Sequence, residues 1–218
     1  MDAAVQFIDA ELDPILKGAN RSFEAGTISA VVTAGEDVSA LLVRVLAGLT
    51  PLQGGQVLVL GHDLAILSRE QRDQVRRRIG IVYPDGGLVS NLKVLENVTL
   101  PLLYHTGESS REIENRAIAL LDRFGCGEIL FELPGTLSVA LRRRAGFARA
   151  LALEPELIVY YWREGGLDSG ERELFLREAV AFHGEAPGRT TIFLAPHEGA
   201  LAGGGTIPVV HLTKGRFE

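Results

Sequence analysis

A chain of 218 residues, 46% hydrophobic and 23% charged, has an ordinary globular composition and enough length for one sizeable core. Its formal net charge of −6 excludes non-specific nucleic-acid binding, which needs basic surface to displace counterions. A single cysteine, Cys126, excludes an internal disulfide and fits a reducing compartment.

Strand signals open the chain in "AVQFIDAEL" and "RSFEAG", with a turn at Gly26, and continue in "TISAVVT" at 27–33. "DVSALLVRVLAGL" sets Leu41, Leu42, Val45, Leu46 and Leu49 at helical spacing, with Asp37 or Ser39 as the expected N-cap. Pro51 and the Gly54–Gly55 pair end that helix before the short strand "QVLVLG". "SREQRDQVRRR" predicts a charged helix starting at Ser68, and "IGIVY" at 79–83 another strand.

From Pro84 to about Leu153 the pattern turns helical, and strands return in "LIVYY", "TTIFLA" and "IPVVHL". Strands alternating with helices imply a largely parallel, covered sheet carrying a helical insertion. The expected division is a core at 1–83 and 154–218 and a helical subdomain at 84–153. The start "MDAAVQFIDAELD" lacks the basic and apolar regions of a signal peptide, and no apolar run approaches the ~18 residues of a bilayer span. The expectation is a soluble, cytoplasmic chain that reaches any membrane through a partner.

Four segments, in order, resemble the nucleotide-binding subunit of ATP-binding-cassette (ABC) transporters. "LLVRVLAGLTPLQGGQVLVLGHDL" is similar to the helix and strand after that family's phosphate loop. "RRRIGIVYPDGGLVSNLKVLENVTLPL" is similar to the Q-loop leading into the helical subdomain. "LSVALRRRAGFARALALEPELIVYYWREGGLD" resembles the signature motif, Walker B strand and D-loop, and "TTIFLAPHE" the strand ending in the switch histidine. The resemblance implies a P-loop NTPase-like fold: a mainly parallel core sheet, an antiparallel β part and the helical insertion. Within the family, 86–105 and 142–158 look most like the ATPases of mammalian-cell-entry type lipid-transport systems.

The family's phosphate loop falls on "TAGEDVSA". Such a loop needs glycines, so that backbone N–H groups converge on phosphates, and a lysine to neutralise their charge. Here Thr33, Glu36 and Val38 replace the glycines, Ser39 the lysine and Ala40 the magnesium-binding hydroxyl, and only Gly35 remains. Glu36 and Asp37 are expected to face a polyphosphate. At an effective dielectric of about 20, a like-charge contact near 4 Å costs roughly 4 kcal/mol before screening. Several kcal/mol is a loss of roughly a thousandfold or more in affinity.

The resemblance places Tyr161 and Trp162 where the Walker B aspartate and glutamate stand. Neither aromatic binds a hard cation or acts as a general base at neutral pH. The expectation is that they fill the space nucleotide and magnesium once took. Pro84 stands at the Q-loop glutamine. In the signature segment Ser138 survives, while Val139 and Ala140 replace glycines. Asp13 and Pro14 stand where the resemblance implies an adenine-stacking aromatic.

Asp168 and His197 match the D-loop aspartate and switch histidine. Asp168 and Ser138 read equally as helix N-caps, and His197 as a hydrogen-bonded strand end. The arginine runs 76–78 and 142–144 read as solvated helix faces, and the five histidines show no metal-ligand spacing.

In the family, the membrane subunit docks on the segment that here runs from Asp85 to about Leu103. Its candidate docking residues are Asp85, Leu88, Asn91, Leu92, Val94, Glu96 and Asn97. The resulting expectation is a pseudo-ATPase of a membrane transport system that docks on a membrane-spanning subunit, with a second ABC ATPase subunit as a further partner. No metal is expected, and no cofactor unless a partner completes a site for ATP and magnesium. Two alternatives stand beside it: a weakly active subunit working with a competent partner, and a regulatory module whose cleft holds another ligand.

Overall fold

The computed structural model describes residues 2–163 and 165–218. Its elements are β1 (Ala3–Leu12), β2 (Leu16–Glu24), β3 (Ile28–Thr33), α1 (Glu36–Leu46), β4 (Gly54–Val59), β5 (His62–Asp63), α2 (Arg69–Arg76), β6 (Ile79–Val82), α3 (Val94–His105), α4 (Ser110–Arg123), α5 (Val139–Leu151), β7 (Leu157–Tyr161), α6 (Ser169–Gly184), β8 (Thr190–Ala195), β9 (Val209–Thr213) and β10 (Arg216–Phe217). Single 3-10 turns lie at Gly127–Ile129, Pro134–Thr136 and Glu198–Leu201. The expected mixed α/β architecture is present.

Two sheets carry the strands. One is antiparallel, in the order β2-β1-β4-β5, and the other has six strands in the order β10-β9-β3-β8-β7-β6. In the second, β9, β3, β8, β7 and β6 run parallel, and only the β10 edge is antiparallel. Between Pro84 and Leu153 every regular element is helical.

The central strands explain the two cores. β7 is buried on both faces, as a covered parallel strand should be. Side chains alternate across a strand. Leu157 and Val159 therefore join Ile192 and Leu194 of β8, the α1 residues Leu42 and Leu46, and the antiparallel sheet in one cluster. Ile158 and Tyr160 join Phe193 and the helices α3 to α6 in the other.

Helix starts follow their sequences. Ser68 caps α2 and Ser109 caps α4, each in a capping box with Gln71 or Glu112. α1 departs from expectation. Its cap is Gly35, with no side-chain cap bond, and the helix begins at Glu36, so Asp37 and Ser39 lie inside it. The Ser39 hydroxyl is committed elsewhere, which removes it as a cap. β5, β10 and the first five residues of β2 went unpredicted; all belong to edge strands, exposed along part of their length.

Candidate functional site

The C-terminal ends of β3 and β7, the start of α1 and the loops after β6 and β7 are tied into one candidate site by hydrogen bonds of Thr33, Tyr161, Arg163 and Arg143. At its floor Thr33 and Ser39 are both buried, at 3% and 2% exposure, and their hydroxyls lie 2.7 Å apart. Thr33 also donates to the Gly35 carbonyl at 3.1 Å, and the Ser39 N–H closes a helical bond to that carbonyl at 3.2 Å. Ser39 thus turns inward, away from any ligand, and its amide is consumed by the helix. Ala40, half-buried, brings no hydroxyl.

Glu36 and Asp37 are exposed in the first turn of α1, where negative charge complements the positive end of the helix dipole. Glu36 is held twice. The Tyr161 hydroxyl donates to its carbonyl at 3.0 Å, and Arg163 Nη1 pairs with its carboxylate at 3.0 Å. The pair is about half exposed and contributes little to stability, but it fixes where these side chains lie. Burial, and then the charge of Glu36, push the Tyr161 phenol above its ordinary pKa, so it remains a neutral donor.

Tyr161 and Trp162 do not share a space, contrary to expectation. Strand alternation sends Tyr161 to the α1 side and Trp162 into the opposite core. Trp162 is 2% exposed, donates its indole N–H to the Ala200 carbonyl at 2.7 Å, and packs on Phe175 and Phe193. It is a core side chain with its polar atom satisfied.

Ser138 caps α5, accepting from the Leu141 N–H at 3.2 Å, and Asp168 caps α6 in a capping box with Glu171. Val139, in the first turn of α5, packs against Gly166. A Cβ on Gly166 would lie 2.6 Å from the Val139 side chain, and its φ of +82° also requires glycine. His197 is exposed at the head of the Glu198–Leu201 turn. The neighbouring Glu198 accepts from or pairs with His211 at 2.8 Å.

Sequence reasoning missed Arg143, reading it as part of a solvated run. It is 2% exposed. Its guanidinium donates to the Pro84 carbonyl at 2.8 Å, to Arg163 O at 3.0 Å and to Gly165 O at 3.1 Å. Its charge centre sits 5.7 Å from the Trp162 ring. Burial, and then the like charge of Arg163, lower its pKa to about 10, so the group stays cationic at neutral pH. In the other run Arg76 donates to the Ala47 and Gly48 carbonyls, Arg78 pairs bidentately with Glu156, and Arg77 is exposed.

The candidate docking residues divide. Asp85, Asn91 and Glu96 are exposed, and Leu88 and Leu92 half-buried. Asp85 accepts from the Gly87 N–H, and Glu96 from the Lys93 N–H at the start of α3. Val94 and Asn97 are fully buried and cannot line a surface. Asn97 instead clamps the loop before α3: it accepts from Val89 N at 2.7 Å and donates to the carbonyls of Val89, Leu92 and Lys93 at 3.0–3.1 Å. The open feature nearby is a groove of about 400 Å³ between β6, α3 and α5, walled by Ile79, Ile81, Leu100, Pro101 and Leu153 with Arg77 and His105 on its lining. Tyr104, 79% exposed, stands beside it. No helix among the described residues is long and apolar enough to cross a membrane.

The comparisons converge on one family. The profile described as ABC transporter matches residues 39–160. The methionine import ATP-binding protein MetN of Caulobacter vibrioides is 32% identical over 85% of this chain and 55% of its own length. The cell division ATP-binding protein FtsE of Haemophilus influenzae is 32% identical over 71% of each chain. A probable ribonucleotide transport ATP-binding protein, mkl, of Mycobacterium leprae is 30% identical over 66% of this chain and 42% of its own. The chain thus spans about half the length of the first and last of these relatives. Among solved structures, cbiO1 from Clostridium perfringens superposes with a TM-score of 0.83 at 21% identity, covering 100% of this chain and 88% of that one. The ATP-binding cassette MJ0796, in a dimeric post-hydrolysis state with ADP and Pi, does so with 0.85 at 22% identity, covering 98% and 96%. With the profile spanning more than half its residues and a relative matched over most of that relative's length, the chain belongs to the ABC transporter family.

Proposed function

We propose that this chain is a pseudo-ATPase of a membrane transport system: a structural or regulatory subunit that neither holds MgATP nor hydrolyses it. The observation that carries this reading is the double hold on Glu36 by Tyr161 and Arg163, over a floor where Ser39 is buried against Thr33. A polyphosphate needs free amides, a cation and room. The Ser39 amide is spent in the helix, the cation Arg163 is spent on Glu36, and two carboxylates stand at the helix start. A magnesium ion needs oxygen ligands, and positions 40, 161 and 162 hold Ala40, Tyr161 and Trp162. These residues do not fit the group, so no catalytic step is derived through it. Asp168 does not restore one, because its carboxylate caps α6 in a capping box with Glu171, and a histidine at position 197 supplies neither the lysine nor the magnesium-binding carboxylate of such a site.

The partner surface is the face around β6 and α3, where a membrane-spanning subunit docks at the cytoplasmic side of the membrane. The open groove and the exposed Asp85, Asn91 and Glu96 support that placement. A second cassette is a further partner. Lipid is the transported class favoured by the resemblance of residues 86–105 and 142–158 to mammalian-cell-entry systems; the named relatives concern methionine, ribonucleotides and cell division.

Steady-state phosphate release by the purified chain tests the reading. No turnover above background is expected, and Ser39→Lys alone adds none, because the lysine position is one defect among several. Turnover by either protein would show that the cleft is competent.

A further inference from the structure

We propose that Arg143 is a positioning residue, a buried strut that locks the loop after β6 to the loop after β7 so that the two move as one body. Its partners are separated widely in sequence: Pro84 lies 59 residues before it, and Arg163 and Gly165 lie 20 and 22 after. All three are carbonyls of loops, which carry no sheet or helix bond of their own at those atoms. One guanidinium therefore supplies a planar set of donors to two loops at once, a geometry a lysine cannot match.

Packing closes around this strut. Gly86, in the first loop, sits directly on α5: a Cβ there would fall 2.1 Å from the Arg142 carbonyl. Gly166, in the second, sits against Val139 at the start of the same helix. Both loops thus bear on α5 from two sides, and Arg143 is the side chain of α5 that bonds to both. Trp162 lies under the guanidinium, 5.7 Å from ring centre to charge centre. Removing the arginine leaves three carbonyls without their shared donor; Arg163 and Gly165 are exposed and Pro84 half-buried, so water takes its place and the tie between the loops is lost.

The consequence reaches the surface. The first loop continues into Asp85–Leu92, and the second into the Asp168 cap of α6. A displacement at the first is delivered to the second through a rigid group. This coupling is a property of the isolated chain and stands or falls apart from the reading of the nucleotide cleft.

Amide hydrogen exchange on the full chain tests it, in wild type, Arg143→Lys and Arg143→Met. Exchange in residues 85–89 and 165–168 should rise together, by roughly tenfold or more in Arg143→Met and less in Arg143→Lys, while β1 and α4 keep wild-type protection. The chain's one tryptophan adds a spectroscopic readout: Trp162 emission should shift to the red and become more open to acrylamide in both variants. A folded variant with wild-type exchange in both loops overturns the proposal, as does loosening confined to one loop. Should Arg143→Met fail to fold, Arg143→Lys decides by the same two readouts.

Discussion

Two faces of the molecule have been finished in opposite ways. At the site before α1 several polar side chains have internal partners: Thr33 with Ser39, Tyr161 and Arg163 with Glu36, and Arg143 with three carbonyls. On the face around β6 and α3, an apolar groove stays open, Tyr104 and Leu103 stand exposed, and Arg77 projects from the end of α2. A side chain already paired internally gains little from a ligand. A surface that keeps apolar area in water gains more. The difference is why the second face is the one we propose for partner binding.

The largest effect should come from beneath the cleft. Trp162→Ala removes a fully buried ring that packs on Phe175, Phe193 and Arg143, and is expected to cost about 3–5 kcal/mol in denaturant unfolding. A cost below 1 kcal/mol would mean that Trp162 is not core. On the other face, Asn97→Ala strips four hydrogen bonds from the loop before α3 and should cost about 2 kcal/mol, with faster exchange in residues 89–93.

Much of this contrast was readable in advance, and the remainder was not, for identifiable reasons. Ser68, Ser138 and Asp168 announce helix starts because a capping side chain acts on amides two or three residues away. The opposite facing of Tyr161 and Trp162 also follows from strand alternation, a signal available in "LIVYYW" and not used. Arg143 carries no such mark. Its burial depends on carbonyls 59, 20 and 22 residues distant, which no local window contains. The early start of α1 is non-local as well, since Thr33 and Tyr161 reach into that turn from two strands.

Smaller effects refine the comparison. Glu36→Gln breaks a half-exposed ion pair with Arg163 while the Tyr161 bond to the backbone remains. It should cost under about 1 kcal/mol and leave nucleotide binding undetectable, because the Ser39 amide is still consumed. The smallest is a pH effect at the Arg78–Glu156 pair. Hydrogen bonding to Arg78 holds the Glu156 carboxyl below its ordinary pKa. Its contribution is complete above the unfolded carboxylate value and disappears as pH falls through the lowered folded value. Glu156→Gln should therefore flatten the acid side of the stability profile slightly, and leave stability near pH 7 to pH 8 parallel to wild type.

The central claim concerns the cleft, and one titration reaches it directly. Purified chain should be titrated calorimetrically with MgATP up to millimolar nucleotide. No heat beyond dilution is the expected result, and it would place the chain among subunits that work by holding a partner. A saturable isotherm with a Kd in the micromolar range would contradict the account, since the contacts on Glu36 and the burial of Ser39 could not then persist in the bound chain.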